Sequence, residues 1–254
     1  MYNSSVMNNH LLKALIFINV CLFTVDDISS QSATTVQFIA GYSHPLPDLK
    51  GNFGEFNYQW TGNGNPDTNT FFMKRGINYG LIVKTPVKYK SNLLLNVSLI
   101  FNVFNNSIAY NDTSGTNDYD LTQRILGLSL GLEYIFYSKR NRINPFVGLN
   151  LSSNFFAGNL KINGGQTEYT MNPAVRLGIN AGAGVNYSMG YNLGVVIGAK
   201  YGFANIIGKN YKKDIGFKYN LNDGEHISES GVKYPNKNIT YLQFYGGLSY
   251  YFSR

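Results

Sequence analysis

The 254-residue chain has a single cysteine, Cys21, and it lies in the N-terminal apolar stretch. The rest of the chain has no thiol, which excludes a disulfide framework and a thiolate metal site there. Charge is also scarce. Asp, Glu, Lys and Arg make up 14% of the residues, against a usual ~25%. A disordered chain would be rich in charge and poor in aromatics, whereas aromatics here reach 15%. A helical bundle would be dominated by Ala, Glu, Lys and Leu. Beyond the N-terminus no apolar run approaches the ~18 residues of a membrane-spanning helix, which excludes a multi-span helical protein. The net charge is +7, but no Lys/Arg run interleaves with aromatics, so nucleic acid is not an expected partner. No phosphate loop or dinucleotide fingerprint sits in a strand–helix context.

What the chain does have is 27 Gly, 20 Tyr and 17 Phe. Residues 1–30 read as a signal peptide: a polar start with Lys13, an apolar run from Ala14 to Val25, then Ser29 and Ser30. A buried N-terminal helix is the alternative. Residues 31–254 form the expected single domain.

From Thr35 onward one pattern recurs, an alternation of period two. Leu126, Leu128, Leu130, Leu132, Tyr134 and Phe136 share one face, while Gly127, Ser129, Gly131, Glu133 and Ile135 share the other. A helix would scatter these leucines, whereas a strand places them on one side. Seven further segments repeat the rhythm near 36–42, 77–84, 93–102, 147–155, 175–187, 193–203 and 242–252. Tight polar turns at 88–92, 138–144 and 188–192 alternate with long connections at about 44–72, 105–122, 158–171 and 205–238.

The large apolar face carries no charge through the middle of any segment. Lys84, Glu133, Arg176 and Lys200 all fall on the Gly/Asn/Ser face, together with Asn150 and Asn180. A soluble barrel would carry many charges on its outer face. A charge facing hydrocarbon costs roughly 2–4 kcal/mol for Lys or Arg at the bilayer midplane. The apolar face is therefore expected to meet lipid, and these six residues to form a polar network in the lumen. Aromatics gather at segment ends. Phe101, Phe155, Tyr201, Phe203 and Phe244 lie toward the long connections, and Tyr134, Phe136, Tyr187, Tyr250 and Phe252 toward the short turns. Two aromatic girdles at the two membrane interfaces are expected.

With eight such segments, alternating short and long connections and a final Tyr250-Tyr251-Phe252, the chain resembles the small outer-membrane β-barrel family. This comprises OmpA/OmpX-like domains and the outer membrane protein beta-barrel domain proteins of Bacteroidota. The resemblance covers about Thr35 to Phe252; Ser253 and Arg254 after the last aromatic depart from the pattern. It implies an all-β fold, an eight-stranded antiparallel up-and-down transmembrane β-barrel with extended extracellular loops and both termini in the periplasm. It also implies outer-membrane lipids and the outer-membrane assembly machinery as partners, the latter through the C-terminal strand, and a monomeric state.

Such barrels serve as anchors, adhesins, small channels and enzymes. An eight-stranded barrel is just wide enough for its own side chains, so Glu133 is expected to pair with Lys84, or secondarily with Arg176; separate solvation of these charges by lumen water is the alternative. Asn222-Asp223-Gly224 reads as the turn of a hairpin standing above the membrane, and 62–67 as another. Lys88, Lys90, Lys139, Arg140 and Arg142 make the short turns basic. Of the three histidines, His10 is in the leader, His44 precedes Pro45, and His226 lies with Glu225, Ser228 and Glu229. Nothing in the pattern positions a Ser–His–acid relay. The expectation is a non-enzymatic barrel, with no catalytic residue, cofactor or metal, anchoring surface loops for a structural or surface-binding role. A lipid A-modifying enzyme and a small channel are the alternatives.

Overall fold

A computed structural model describes residues 34–50, 71, 73–88, 91–112, 115–136, 142–189, 192–212, 218–227, 231 and 233–252. Residues 1–30, expected to be a signal peptide, the expected turn at 62–67, Trp60, Lys90, Lys139, Arg140, Ser228 and Glu229 lie outside these residues.

Among the described residues twelve strands follow in order: β1 (Thr34–Pro45), β2 (Arg75–Pro86), β3 (Leu93–Asp112), β4 (Gly115–Ile135), β5 (Ile143–Ile162), β6 (Thr167–Met171), β7 (Ala174–Ser188), β8 (Leu193–Ile207), β9 (Lys218–Tyr219), β10 (His226–Ile227), β11 (Lys233–Tyr234) and β12 (Thr240–Phe252). Eight of them close a ring, β1-β2-β3-β4-β5-β7-β8-β12 and back to β1, every neighbouring pair antiparallel. Closure leaves no open edge through the barrel wall.

Side-chain parity follows the alternation in the sequence. Leu151 and Ile197 point outward, each 70% exposed, with Phe38, Leu132, Leu149 and Leu248 on the same outer surface. Gln37, Asn78, Asn96, Asn102, Asn150 and Gln243 are buried inside. The soluble pattern is thus inverted, with apolar residues outside and many polar ones within. The interior is not wholly polar: Ile39, Ile82, Ile100, Val196 and Tyr245 form a buried cluster there.

The closing seam depends on two glycines. A Cβ at Gly41 would meet the carbonyl oxygen of Phe244, and one at Gly247 the carbonyl oxygen of Phe38. Both contacts are to backbone, which cannot rotate away as a side chain would.

Two connections differ from the sequence reading. Residues 105–122 read as a long loop, yet β3 and β4 stay paired from Leu93↔Tyr134 to Asp112↔Gly115. The connection is a tall hairpin, paired as far as Asp112 and Gly115. In the 158–171 segment β5 runs on to Ile162 and β6 folds back against it.

Candidate functional site

The inward side chains form layers along the barrel. At the short-turn end Lys84 Nζ donates to Glu133 Oε1 at 2.6 Å, with the two side chains 2% and 3% exposed. Asn96 Nδ2 reaches Glu133 Oε2 at 3.4 Å, and Lys84 also lies over the Phe146 ring, 4.3 Å from its centroid. Gln37 Nε2 donates to Asn186 and to Ser249. In the middle Gln243 Nε2 and Ser43 Oγ both donate to Asn102 Oδ1, and Asn78 Nδ2 donates to Ser43. Asn180 Nδ2 donates to Ser129 Oγ, while the facing Asn150 leaves its Oδ1 without a partner among the described residues. Lys200 is buried beside the Tyr245 ring.

The long-connection end is closed. Leu49, Phe71 and Met73 from the first connection pack with Phe104, Ile125, Phe156, Ala204 and Tyr241 from the wall and with Leu221 and Ile239 from the last connection. Beside this apolar cap Asp223 is fully buried. Arg176 on β7 grips it with two donors, Nε to Oδ2 at 2.9 Å and Nη2 to Oδ1 at 2.8 Å. Asn205 Nδ2 donates to Oδ2 at 2.9 Å, and the Asn210 N–H donates to Oδ1 at 3.1 Å. A two-pronged carboxylate pair with every lone pair engaged is the arrangement that makes a buried charge tolerable.

The local sequence produces this geometry. Asn222 takes a left-handed backbone, φ 47°, which Asn tolerates better than most residues. Gly224 lies against the main chain of Asn210 and donates its N–H to the Asn210 carbonyl at 3.0 Å; a Cβ there would sit 2.6 Å from the Asn210 carbonyl carbon. The Asn222-Asp223-Gly224 turn therefore dips into the mouth instead of capping a hairpin above it. The hairpin in this connection is the short β10–β11 pair. Arg176, the second choice as partner for Glu133, is engaged by Asp223. The sequence reading missed Asp223, Asn205 and Asn210 as site residues, because a polar loop residue carries no local mark of burial. The last connection is also tied to the first: the Asn238 N–H donates to Asp48 Oδ2 at 2.6 Å.

His226 is stacked between two tyrosines, with ring centroids 3.8 Å from Tyr211 and 4.5 Å from Tyr234 and both pairs within 8° of parallel. Burial holds its pKa below the ordinary 6.5. Lys237 pushes the same way, and a hydrogen bond to the Gly224 carbonyl opposes them. Glu225 is engaged by Lys233 at 2.8 Å on the surface. His44 lies within β1, 6.4 Å from the Tyr42 ring.

Of the aromatics singled out, Tyr134, Phe136, Tyr187, Tyr250 and Phe252 are exposed on the outer face toward the short turns, where Tyr134–Phe136 and Tyr250–Phe252 make edge-on pairs. Phe101 and Phe155 flank Leu126 on neighbouring strands, and Phe101 packs against Tyr79 at 5.3 Å. Tyr201 and Phe244 are exposed on β8 and β12, and Phe203 is half-buried on β8.

The family model described as Opacity family porin protein matches residues 101–234. No curated protein sequence matches the chain. Among solved structures the chain is similar to neisserial surface protein A, at 15% identity and TM-score 0.48, over 88% of this chain and 100% of that one. It is similar to the outer membrane protein OprG from Pseudomonas aeruginosa, at 12% identity and TM-score 0.41, over 90% and 100%. It is also similar to the outer membrane protease OmpT from Escherichia coli, at 10% identity and TM-score 0.43, over 89% and 99%.

Proposed function

The chain belongs to the Opacity family of porin proteins and is an outer-membrane β-barrel, and we propose that it acts as a membrane anchor that presents its long connections in a fixed shape, in a structural or surface-binding role and without catalysis. The observation that carries this reading is the closed mouth. The Arg176–Asp223 pair and the apolar cap fold the first and last connections over the lumen, and buried side chains such as Gln37, Asn102, Lys84 and Tyr245 project into the lumen below. A barrel built to conduct would keep that path clear.

In this reading the outward Leu, Val and Ile belt meets lipid, and the ten girdle aromatics sit at its two interfaces. The long connections face the cell exterior and both ends of β1 and β12 at the short-turn side face the periplasm. Arg142 and Lys88 in the short turns then lie at the inner interface. The stacking of His226 between Tyr211 and Tyr234 supports a structural role for that ring.

The test combines two measurements on detergent-extracted protein. Unboiled protein is expected to migrate differently from boiled protein on SDS gels, because a closed ring resists SDS until heated. Planar-bilayer recordings are expected to lack discrete conductance steps. Discrete steps would instead support the small-channel reading. A change in lipid A mass that is lost in His226→Ala would support the enzyme reading.

A further inference from the structure

Lys200 is a buried cation without a counter-charge. It faces the lumen from β8, between Gly182 of β7 and Gln243 of β12, and is 6% exposed. Among the described residues its Nζ has no hydrogen bond or ion pair; its contact is with the Tyr245 ring, 5.5 Å from the centroid. The two other inward cations of the described strands are engaged. Lys84 holds Glu133 at 2.6 Å, and Arg176 holds Asp223. The strands turn three cations inward, Lys84, Arg176 and Lys200, against Glu133 alone. Asp223, from the last connection, supplies a second carboxylate, and the same connection brings a further buried cation, Lys237, over the Phe71 ring; neither carboxylate is paired with Lys200.

A second donor stands beside it. Tyr245 is buried, and its hydroxyl makes no hydrogen bond with any described residue. Two glycines seat this pair. A Cβ at Gly182 would lie 2.8 Å from Lys200 Cγ, and a Cβ at Gly198 would lie 2.5 Å from the Tyr245 hydroxyl. The absence of side chains at these positions is what allows a long cation and a phenol to be packed side by side in a narrow barrel.

Buried ammonium groups are ordinarily paired or neutralised. Water can satisfy N–H donors but supplies no charge. We infer that Lys200 and Tyr245 hold a small monovalent anion of the halide class within the barrel, the ammonium supplying charge and N–H donors and the phenol an O–H donor. A single ammonium at the site calls for a monovalent ion, and a narrow eight-stranded lumen calls for a small one.

The test uses the folded barrel in detergent with bromide as probe. Crystals grown in sodium bromide are expected to show an anomalous peak within hydrogen-bond distance of Lys200 Nζ, lost in Lys200→Met. In solution, replacing chloride with gluconate at constant ionic strength is expected to lower the Tm of the natural sequence by a few degrees, since a ligand that binds only the folded state stabilises it by mass action. Lys200→Met should lose this dependence, and Tyr245→Phe should raise the halide midpoint several-fold. SDS-gel mobility before boiling establishes that each variant is closed; if Lys200→Met does not fold, Lys200→Gln and Tyr245→Phe carry the comparison. No bromide at Nζ, or a halide dependence that persists unchanged in the Lys200 variants, would overturn the inference.

Discussion

Arg176 and Asp223 meet across the mouth of the barrel, one from the wall and one from the last connection, in a buried pair with two parallel hydrogen bonds of 2.9 and 2.8 Å. This contact does more than add stability. It fixes where a long connection enters the lumen, and so what shape the rest of that connection presents.

Removing one member of a buried pair leaves the other charged and unpaired, at a cost of about 3–5 kcal/mol. Asp223→Ala is therefore expected to release the last connection while leaving the ring intact. Limited proteolysis should cut within 208–239 in the variant and not in the natural sequence, while both keep their heat-dependent gel shift. Cutting at equal rates in the two would show that the pair does not hold the connection.

Glu133→Gln strands Lys84 at the other end of the lumen, among Asn96 and the Phe146 ring. The expected loss is again several kcal/mol, read as a lower melting temperature. Lys84→Met combined with Glu133→Leu should recover most of it, because no charge is then left buried. An unchanged Tm in Glu133→Gln would count against the pair as a stabilising contact.

The orientation of the two faces can be tested at adjacent positions on β5. Leu151→Arg puts a charge on the outer belt, with an expected penalty of about 2–4 kcal/mol in a bilayer. Asn150→Ser, on the inner face, should cost much less. Refolding yield into lipid vesicles measures both, and similar yields would contradict a lipid-facing belt.

Gly41 and Gly247 leave no room for a side chain against the strand facing each of them. Gly41→Val or Gly247→Val should prevent β1 from docking on β12. The protein should then migrate alike on gels whether boiled or not. A normal shift in both variants would mean that the seam relaxes more than the backbone contacts imply.

His226 titrates below its ordinary 6.5, chiefly because of burial. A depressed folded-state value means that the fold favours the neutral ring. The contribution of the Tyr211–His226–Tyr234 stack is thus intact above pH 6.5 and is lost as pH falls through the folded value. Imidazole proton shifts followed by NMR should give a midpoint under 6.5, and protease sensitivity of 208–239 should rise at low pH in the natural sequence but stay flat in His226→Gln.

The barrel was legible because its wall has only two environments, and a period of two separates them residue by residue. Leu126 to Phe136 shows this most clearly. The same parity put Lys84 and Glu133 inside. What brings them together is strand register, Lys84↔Asn96 and Leu94↔Glu133, which a sequence does not display. Legibility failed where the chain leaves the wall. Residues 105–122 read as loop because Asn, Asp, Ser and Thr dominate them, although the ladder continues to Asp112 and Tyr119 and Leu121 pack there with Leu160 of β5. Asp223 failed for a different reason. A loop carboxylate looks the same whether it points to solvent or toward an arginine 47 positions away.

The seam between β1 and β12 also bears on how the molecule comes to exist. Thr34 pairs with Phe252, nearly the whole described chain apart. The ring cannot be completed until its last strand is available, and contacts of such separation form slowly, since loop-closure entropy is lost before any contact compensates it. Through that interval the unpaired edges of β1 and β12 are templates for foreign strands. The lifetime of the open form, more than the strength of the finished ring, therefore sets how much chain aggregates before it matures, and fast capture of the final strand is the step on which yield depends.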